Sequence, residues 1–171
     1  MQKISLDEMK TKALSLPSGN YIFEKALRKG KPAIISEVKK ASPSKGIIAK
    51  DFPYIEIAKE YETAGTDCIS ALTEPKWFLG SNEIFCEIRK KVSVPMIRKD
   101  FTVSEYQIYQ AKVMGADAVL LICALLDTKT INKYLEICDM LGISALVEAH
   151  TAEEIKSAIS AGARIIGVNN R

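Results

Sequence analysis

"KVMGADAVLLI", residues 112–122, begins as a helix and ends as a strand. Gly115 stands at the join. A glycine suits the left-handed backbone position that closes a helix, and the apolar run 118–122 then reads as a strand. The same construction recurs in "ETAGTDCISAL" (62–72), "DMLGISALVEA" (139–149) and "SAGARIIGVNN" (160–170), with Gly65, Gly142 and Gly162 at the joins. A fifth unit, "KKVSVPMIRKD" (90–100), carries Pro95 instead, which can start a strand but cannot continue a helix. One helix-to-strand turn is used over and over.

The helices carry their own signals. Ile131, Tyr134, Leu135 and Cys138 recur at the spacing of one helical face, as do Ile155, Ala158, Ile159 and Gly162. Ser104 with Gln107, and Thr151 with Glu154, read as capping boxes at helix starts. The strands are expected at 33–36, 68–72, 95–97, 118–122, 143–147 and 164–168. They are unbroken apolar runs, which suit parallel strands covered on both faces. Six strands with a crossover helix after each of the first five fit either a doubly wound sheet or a (β/α)8 barrel. The first strand lacks a GxGxxG turn, which weighs against a dinucleotide-binding sheet.

The residues at the strand ends separate the two. The runs end in Glu37 and Lys39, Thr73 and Glu74, Lys99 and Asp100, Glu148 and His150, and Asn169, Asn170 and Arg171. In a barrel those ends converge on one mouth, where active sites of this architecture lie; in an open sheet the outer ones stay far apart. The barrel is the expectation. Eight strands usually occupy about 250 residues, and 171 residues reach only the end of the sixth. The expected architecture is a partial barrel of about six βα units.

Composition narrows the function. The chain is 47% hydrophobic and 26% charged, with a net charge of +3. Basic and acidic residues alternate, so no stripe for nucleic acid and no basic membrane helix is expected. No apolar run approaches a membrane span and the N-terminus lacks a signal-peptide core. Cys68, Cys86, Cys123 and Cys138 lie in apolar surroundings without CxxC spacing, which reads as packing thiols in a reducing, cytoplasmic protein.

Each polar strand end has a plainer reading. Glu37 and Lys39, two apart on one strand face, fit a structural ion pair. Lys99 fits a solvated ammonium or a partner of Asp100, and His150 a helix-entry residue before Thr151. Glu148 resists such an account, because it follows the apolar residues Ala145, Leu146 and Val147 in a strand where an unpaired carboxylate is costly. One histidine and scattered carboxylates make no metal-ligand set of the usual spacing. Two lysines, two glutamates and an amide at one mouth suit general acid–base work on a small anionic substrate, without metal or cofactor.

"AIISEVKKASPSKG" (33–46), "LTEPKWFLGS" (72–81), "VPMIRKDF" (94–101), "YQIYQAKVMGADAVLLI" (106–122), "LVEAH" (146–150) and "IIGVNNR" (165–171) closely resemble indole-3-glycerol phosphate synthase. The resemblance implies a (β/α)8 barrel with an N-terminal helical extension over the mouth, here residues 1–32, followed by a partial barrel at 33–171. It implies ring closure of 1-(2-carboxyphenylamino)-1-deoxyribulose 5-phosphate with loss of carbon dioxide and water, in tryptophan biosynthesis, and no cofactor. By matched position, Lys99 is the general acid, Glu148 a proton-transfer group, Lys39 the second lysine and Glu37 the carboxylate that orients both. Asn169, Ser42 and Arg171 match substrate-contacting positions, and Phe78 and Phe101 an aromatic wall. The family's seventh and eighth strands and most of its phosphate loops have no counterpart, so residues 1–171 alone are expected to be inactive. Two alternatives remain: a non-catalytic partial barrel that self-associates through its open edges, and another phosphate-binding barrel, an isomerase or a Schiff-base aldolase.

Overall fold

The computed structural model describes residues 4–170. All four join glycines take positive φ in it: Gly65 at 88°, Gly115 at 82°, Gly142 at 66° and Gly162 at 91°. Each closes a helix and releases the chain into a strand. In chain order the elements are α1 (Leu6–Ser15), α2 (Ile22–Leu27), β1 (Ile35–Val38), β2 (Ala41–Ser42), β3 (Gly46–Ile47) and α3 (Tyr54–Thr63). Then come β4 (Cys68–Leu72), α4 (Asn82–Arg89), β5 (Met96–Lys99), α5 (Glu105–Val113), β6 (Ala118–Ile122) and α6 (Thr128–Leu141). The chain ends with β7 (Ser144–Ala149), α7 (Ala152–Ser160) and β8 (Ile165–Val168).

Six strands form one parallel sheet in the order β1-β4-β5-β6-β7-β8, each beside its predecessor. The six expected runs are these six strands, displaced by one or two residues at some ends. The order is that of a barrel wall. The loop at Ser42–Gly46 forms a small antiparallel hairpin, β2 with β3.

Alternation within the apolar runs sorts side chains into two cores. In β6, Ala118, Leu120 and Ile122 face the barrel interior, while Val119 and Leu121 face the helices. In β4, Cys68 goes inward and Ile69 and Ala71 outward. Both faces are covered, so the runs are unbroken. The outer core sets Phe85 and Ile88 of α4, Ile108 of α5 and Ile131, Cys138 and Leu141 of α6 against the sheet.

The edges of the sheet depart from the expectation of two covered faces. β1 and β8 are only partly buried, Ile34 is 62% exposed and Val168 is 65% exposed. Each has a strand neighbour on one side only, among the described residues. Ile159, expected on the buried face of α7, is likewise 61% exposed, whereas Ala158 is fully covered. The helix lies at the end of the array, so only part of its apolar face has a partner.

The described helices before β1 do not lie over the mouth. α1 packs on α5 and places Met9 and Ala13 in the outer core. α2 closes the opposite end of the barrel: Phe23 fills the interior beside Cys68, Ile97 and Ala118. The N–H groups of Gly19 and Tyr21 donate to the carbonyls of Leu141 and Gly142, just before β7 begins. An apolar ring in the barrel's lower end buries surface that the strands alone leave open. No described helix is long and apolar enough to cross a membrane.

Candidate active site

The polar strand ends meet at one mouth. Glu37 lies near the end of β1 and Lys39 two residues on, so both project to the same side and form an ion pair. From β5, Lys99 brings its Nζ to 3.9 Å from Glu37 Oε2. One carboxylate thus stands between two ammonium groups on neighbouring parts of the wall. The side chains keep roughly a quarter to a third of their surface open, at 27%, 31% and 27% for Lys39, Glu37 and Lys99. Of the three, Lys99 lines the adjoining cavity.

Glu148, in β7, and Asn169, just beyond β8, form a second pair. Asn169 Nδ2 donates to Glu148 Oε1 at 3.2 Å, and the Asn169 N–H donates to the Ala149 carbonyl at 2.9 Å. The amide both orients the carboxylate and holds the last strand to β7. Between Lys99 and the Glu148–Asn169 pair lies an open cavity lined also by Phe78, Phe101, Glu74 and Asp100, with Leu72, Leu120 and Ile122 as its apolar floor. Its volume of about 160 Å³ lies below the roughly 300–1,000 Å³ of sites that enclose a drug-sized ligand. It has room for a ring with its polar substituents rather than for a long phosphorylated chain. Phe78 and Phe101 stand 6.2 Å apart, tilted by 53°.

Two expected site residues lie elsewhere. Ser42 sits in the β2–β3 hairpin, opposite Gly46, and does not line the cavity. Arg171 lies outside the described residues. His150 is a helix-entry residue: its N–H donates to Glu154 Oε2 at 2.6 Å. That bond takes the Glu154 carboxylate away from Thr151, so Thr151 caps α7 alone, without the expected reciprocal half of a box. Ser104 and Gln107 do form the full box at α5.

Asp100 is no partner of Lys99. The two alternate in direction, and Asp100 pairs with Arg98 at 3.0 Å on the helix-facing side of the wall. Arg98 is 5% exposed and also donates to Thr73 Oγ1, the Gln107 carbonyl and Asn82 Oδ1. Burial pulls its guanidinium down from the ordinary value, and Asp100 opposes that. This cluster knits the roots of the loops after β4 and β5 to α4 and α5.

Glu74 was visible only as a polar strand end, yet it is 8% exposed and lines the cavity. Burial pushes its carboxyl up, but hydrogen bonds from the N–H groups of Trp77, Lys76 and Phe78 outweigh that and hold it below the ordinary range. The signal in the sequence was a glutamate whose turn leaves amides unpaired two to four residues later. Among the described residues no group of histidine, cysteine and carboxylate side chains is arranged to hold a metal.

Comparison with known proteins bears on the family of the chain and its fold. The family model for indole-3-glycerol phosphate synthase matches residues 1–171. The chain is 55% identical over 171 residues to the indole-3-glycerol phosphate synthase of Ruminiclostridium cellulolyticum, covering 99% of this chain and 66% of that protein. It is 54% identical over 168 residues to that of Endomicrobium trichonymphae, covering 98% of this chain and 65% of that protein. The chain therefore spans about two-thirds of the length of the curated relatives it matches. Among solved structures, a mandelate oxidase mutant with a monooxide FMN adduct superposes with a TM-score of 0.61 at 13% identity, over 95% of this chain and 59% of the other. At that identity the likeness concerns the fold alone.

Proposed function

The chain belongs to the indole-3-glycerol phosphate synthase family, and we propose from this that it supplies the acid–base groups for closing an indole ring on 1-(2-carboxyphenylamino)-1-deoxyribulose 5-phosphate. Family membership sets aside the isomerase and Schiff-base aldolase readings. The observation that carries the proposal is Lys99, paired with Glu37 beside Lys39, facing Glu148–Asn169 across one apolar-floored cavity.

In this reading Lys99 delivers a proton to the ketone oxygen as the ring carbon bearing the carboxylate attacks the carbonyl carbon. The bond to the carboxylate then breaks, carbon dioxide leaves, and its electron pair returns to the ring. Removal of a proton from the methylene carbon beside the nitrogen then forms the ring double bond, as the new hydroxyl takes up a proton and leaves as water to complete the indole. The intermediate before decarboxylation carries an iminium charge, which the carboxylates of Glu148 and Glu37 stabilise in a site partly shielded from water. Lys39 attracts the substrate's anionic groups, Asn169 contributes a polar contact, and Phe78 with Phe101 flanks the aromatic ring. In this reading α1 and α2 belong to an N-terminal extension that precedes the barrel. The partner is a small phosphorylated anion, acted on in the cytoplasm.

The test is turnover. A chimera that continues this chain with the corresponding C-terminal third of the Ruminiclostridium relative should form indole-3-glycerol phosphate, monitored by indole fluorescence, in buffer containing a chelator. A folded chimera that binds the substrate and leaves it unchanged would overturn the reading.

A further inference from the structure

We propose that Glu74 is the positioning residue of an aromatic subsite: its carboxylate locks the loop 75–80 between β4 and α4 so that Phe78 stands ready against Phe101. The proposal rests on the indole-forming reading of the cavity and adds to it the residue that sets the shape of the ring-binding end.

Three consecutive amides converge on Glu74. Lys76 N donates to Oε1 at 2.8 Å, and Trp77 N and Phe78 N donate to Oε2 at 2.6 and 3.0 Å. A buried carboxylate is costly unless its oxygens are met, and here main-chain donors meet them. The loop closes on the same residue, since Gly80 N donates to the Glu74 carbonyl at 2.9 Å. Its far end is fixed sterically. Leu79 takes a φ of 53°, unusual for a residue with a side chain, and a Cβ at Gly80 would lie 2.2 Å from the Leu72 carbonyl oxygen. Such a backbone persists only where the surroundings hold it.

Burial of the loop's own apolar groups does not supply that hold. Trp77 is 52% exposed and Leu79 38% exposed. What the locked conformation does achieve is the placement of one ring. Phe78 reaches the cavity and stands 6.2 Å from Phe101, above the floor of Leu72, Leu120 and Ile122. The root of the loop is tied to the strand that carries Lys99, because Thr73 N donates to the Lys99 carbonyl at 3.1 Å. A planar ring entering this subsite meets a wall already in place, and the entropic cost of ordering that wall on binding is avoided.

The chain carries its own reporter: Trp77 is its single tryptophan, and its amide is one of the three on Glu74. Residues 1–171 and the variants Glu74→Gln and Glu74→Asp are compared at pH 7 by acrylamide quenching of Trp77, far-UV circular dichroism and calorimetric titration with anthranilate. Glu74→Gln should quench at least about twofold more readily with unchanged helix content. It should also bind anthranilate about tenfold more weakly, and Glu74→Asp should recover part of both. Quenching and affinity equal to wild type in Glu74→Gln would overturn the proposal. A loosened Trp77 with an unchanged anthranilate affinity would also overturn it, leaving Glu74 a merely structural anchor. If Trp77 loosens while even the wild type fails to bind anthranilate, the loop lock stands and the substrate reading falls. Should Glu74→Gln fail to fold, hydrogen exchange of the wild type decides instead. The amides of residues 76–78 should exchange at least about tenfold below their intrinsic rates, and unprotected amides would refute the lock.

Discussion

Lys99 and Arg98 are adjacent in sequence and opposite in environment. Arg98 is buried in a net of four acceptors, while Lys99 faces the cavity and a carboxylate 3.9 Å away. Strand alternation alone produces the difference. In the chimera with the Ruminiclostridium C-terminal third, Lys99→Ala should lower turnover by about two orders of magnitude, the usual worth of a positioned acid, with substrate affinity changed far less. Near-normal turnover would remove Lys99 from that role. The cysteines obey a different control. Burial pushes the Cys68 thiol up to about 12 and raises Cys138 as well. Cys86 and Cys123 are also raised by burial but are only partly covered. Because the thiolate is the reactive form, native protein at pH 8 should be labelled by a maleimide at Cys86 and Cys123, with Cys68 and Cys138 labelled only after unfolding. Peptide mass mapping of labelled sites checks the order.

The helix-to-strand turn was the most legible element. Glycine at 65, 115, 142 and 162 predicted it, and each takes the expected positive φ. The glycines are not equivalent, however. At Gly65 an added Cβ meets nothing within 4 Å, whereas at Gly142 it would lie 2.3 Å from the Gly19 carbonyl oxygen. Gly65→Ala should therefore cost about 1 kcal/mol, the penalty of a left-handed alanine. Gly142→Ala should cost on the order of 3 kcal/mol, because the backbone that carries α2 must also move. Urea unfolding midpoints of the two variants measure the contrast, and equal shifts would show that the contact with residue 19 is slack. No local pattern announced that contact, which joins segments more than a hundred residues apart.

As a whole, the sheet keeps its sequential order and leaves β1 and β8 with one strand neighbour each, among the described residues. Unpaired parallel edges recruit partners, and apolar groups stand beside both: Ile34, Ile47 and Ile48 near β1, Ile159 and Val168 near β8. Residues 1–171 as a purified polypeptide should accordingly form dimers or larger species. Equilibrium sedimentation across a tenfold dilution series tests this, and a monomer at every concentration that binds no hydrophobic dye would defeat it.

The sequence by itself determined the six strands, their parallel order, the barrel-like gathering of polar strand ends and five of the residues at the mouth. Those are carried by local rules: glycine closes helices, proline starts a strand, and a two-residue period sends Glu37 and Lys39 to one side. Only the tertiary structure decided which charge meets which. It paired Asp100 with Arg98, gave Lys99 to Glu37, joined Glu148 to Asn169 and turned the Glu74 carboxylate onto its own loop. It also sent Phe23 into the base of the barrel, away from the mouth. Partner choice depends on distances between strands and on what each side chain loses when it leaves water, and neither quantity is present in a linear pattern.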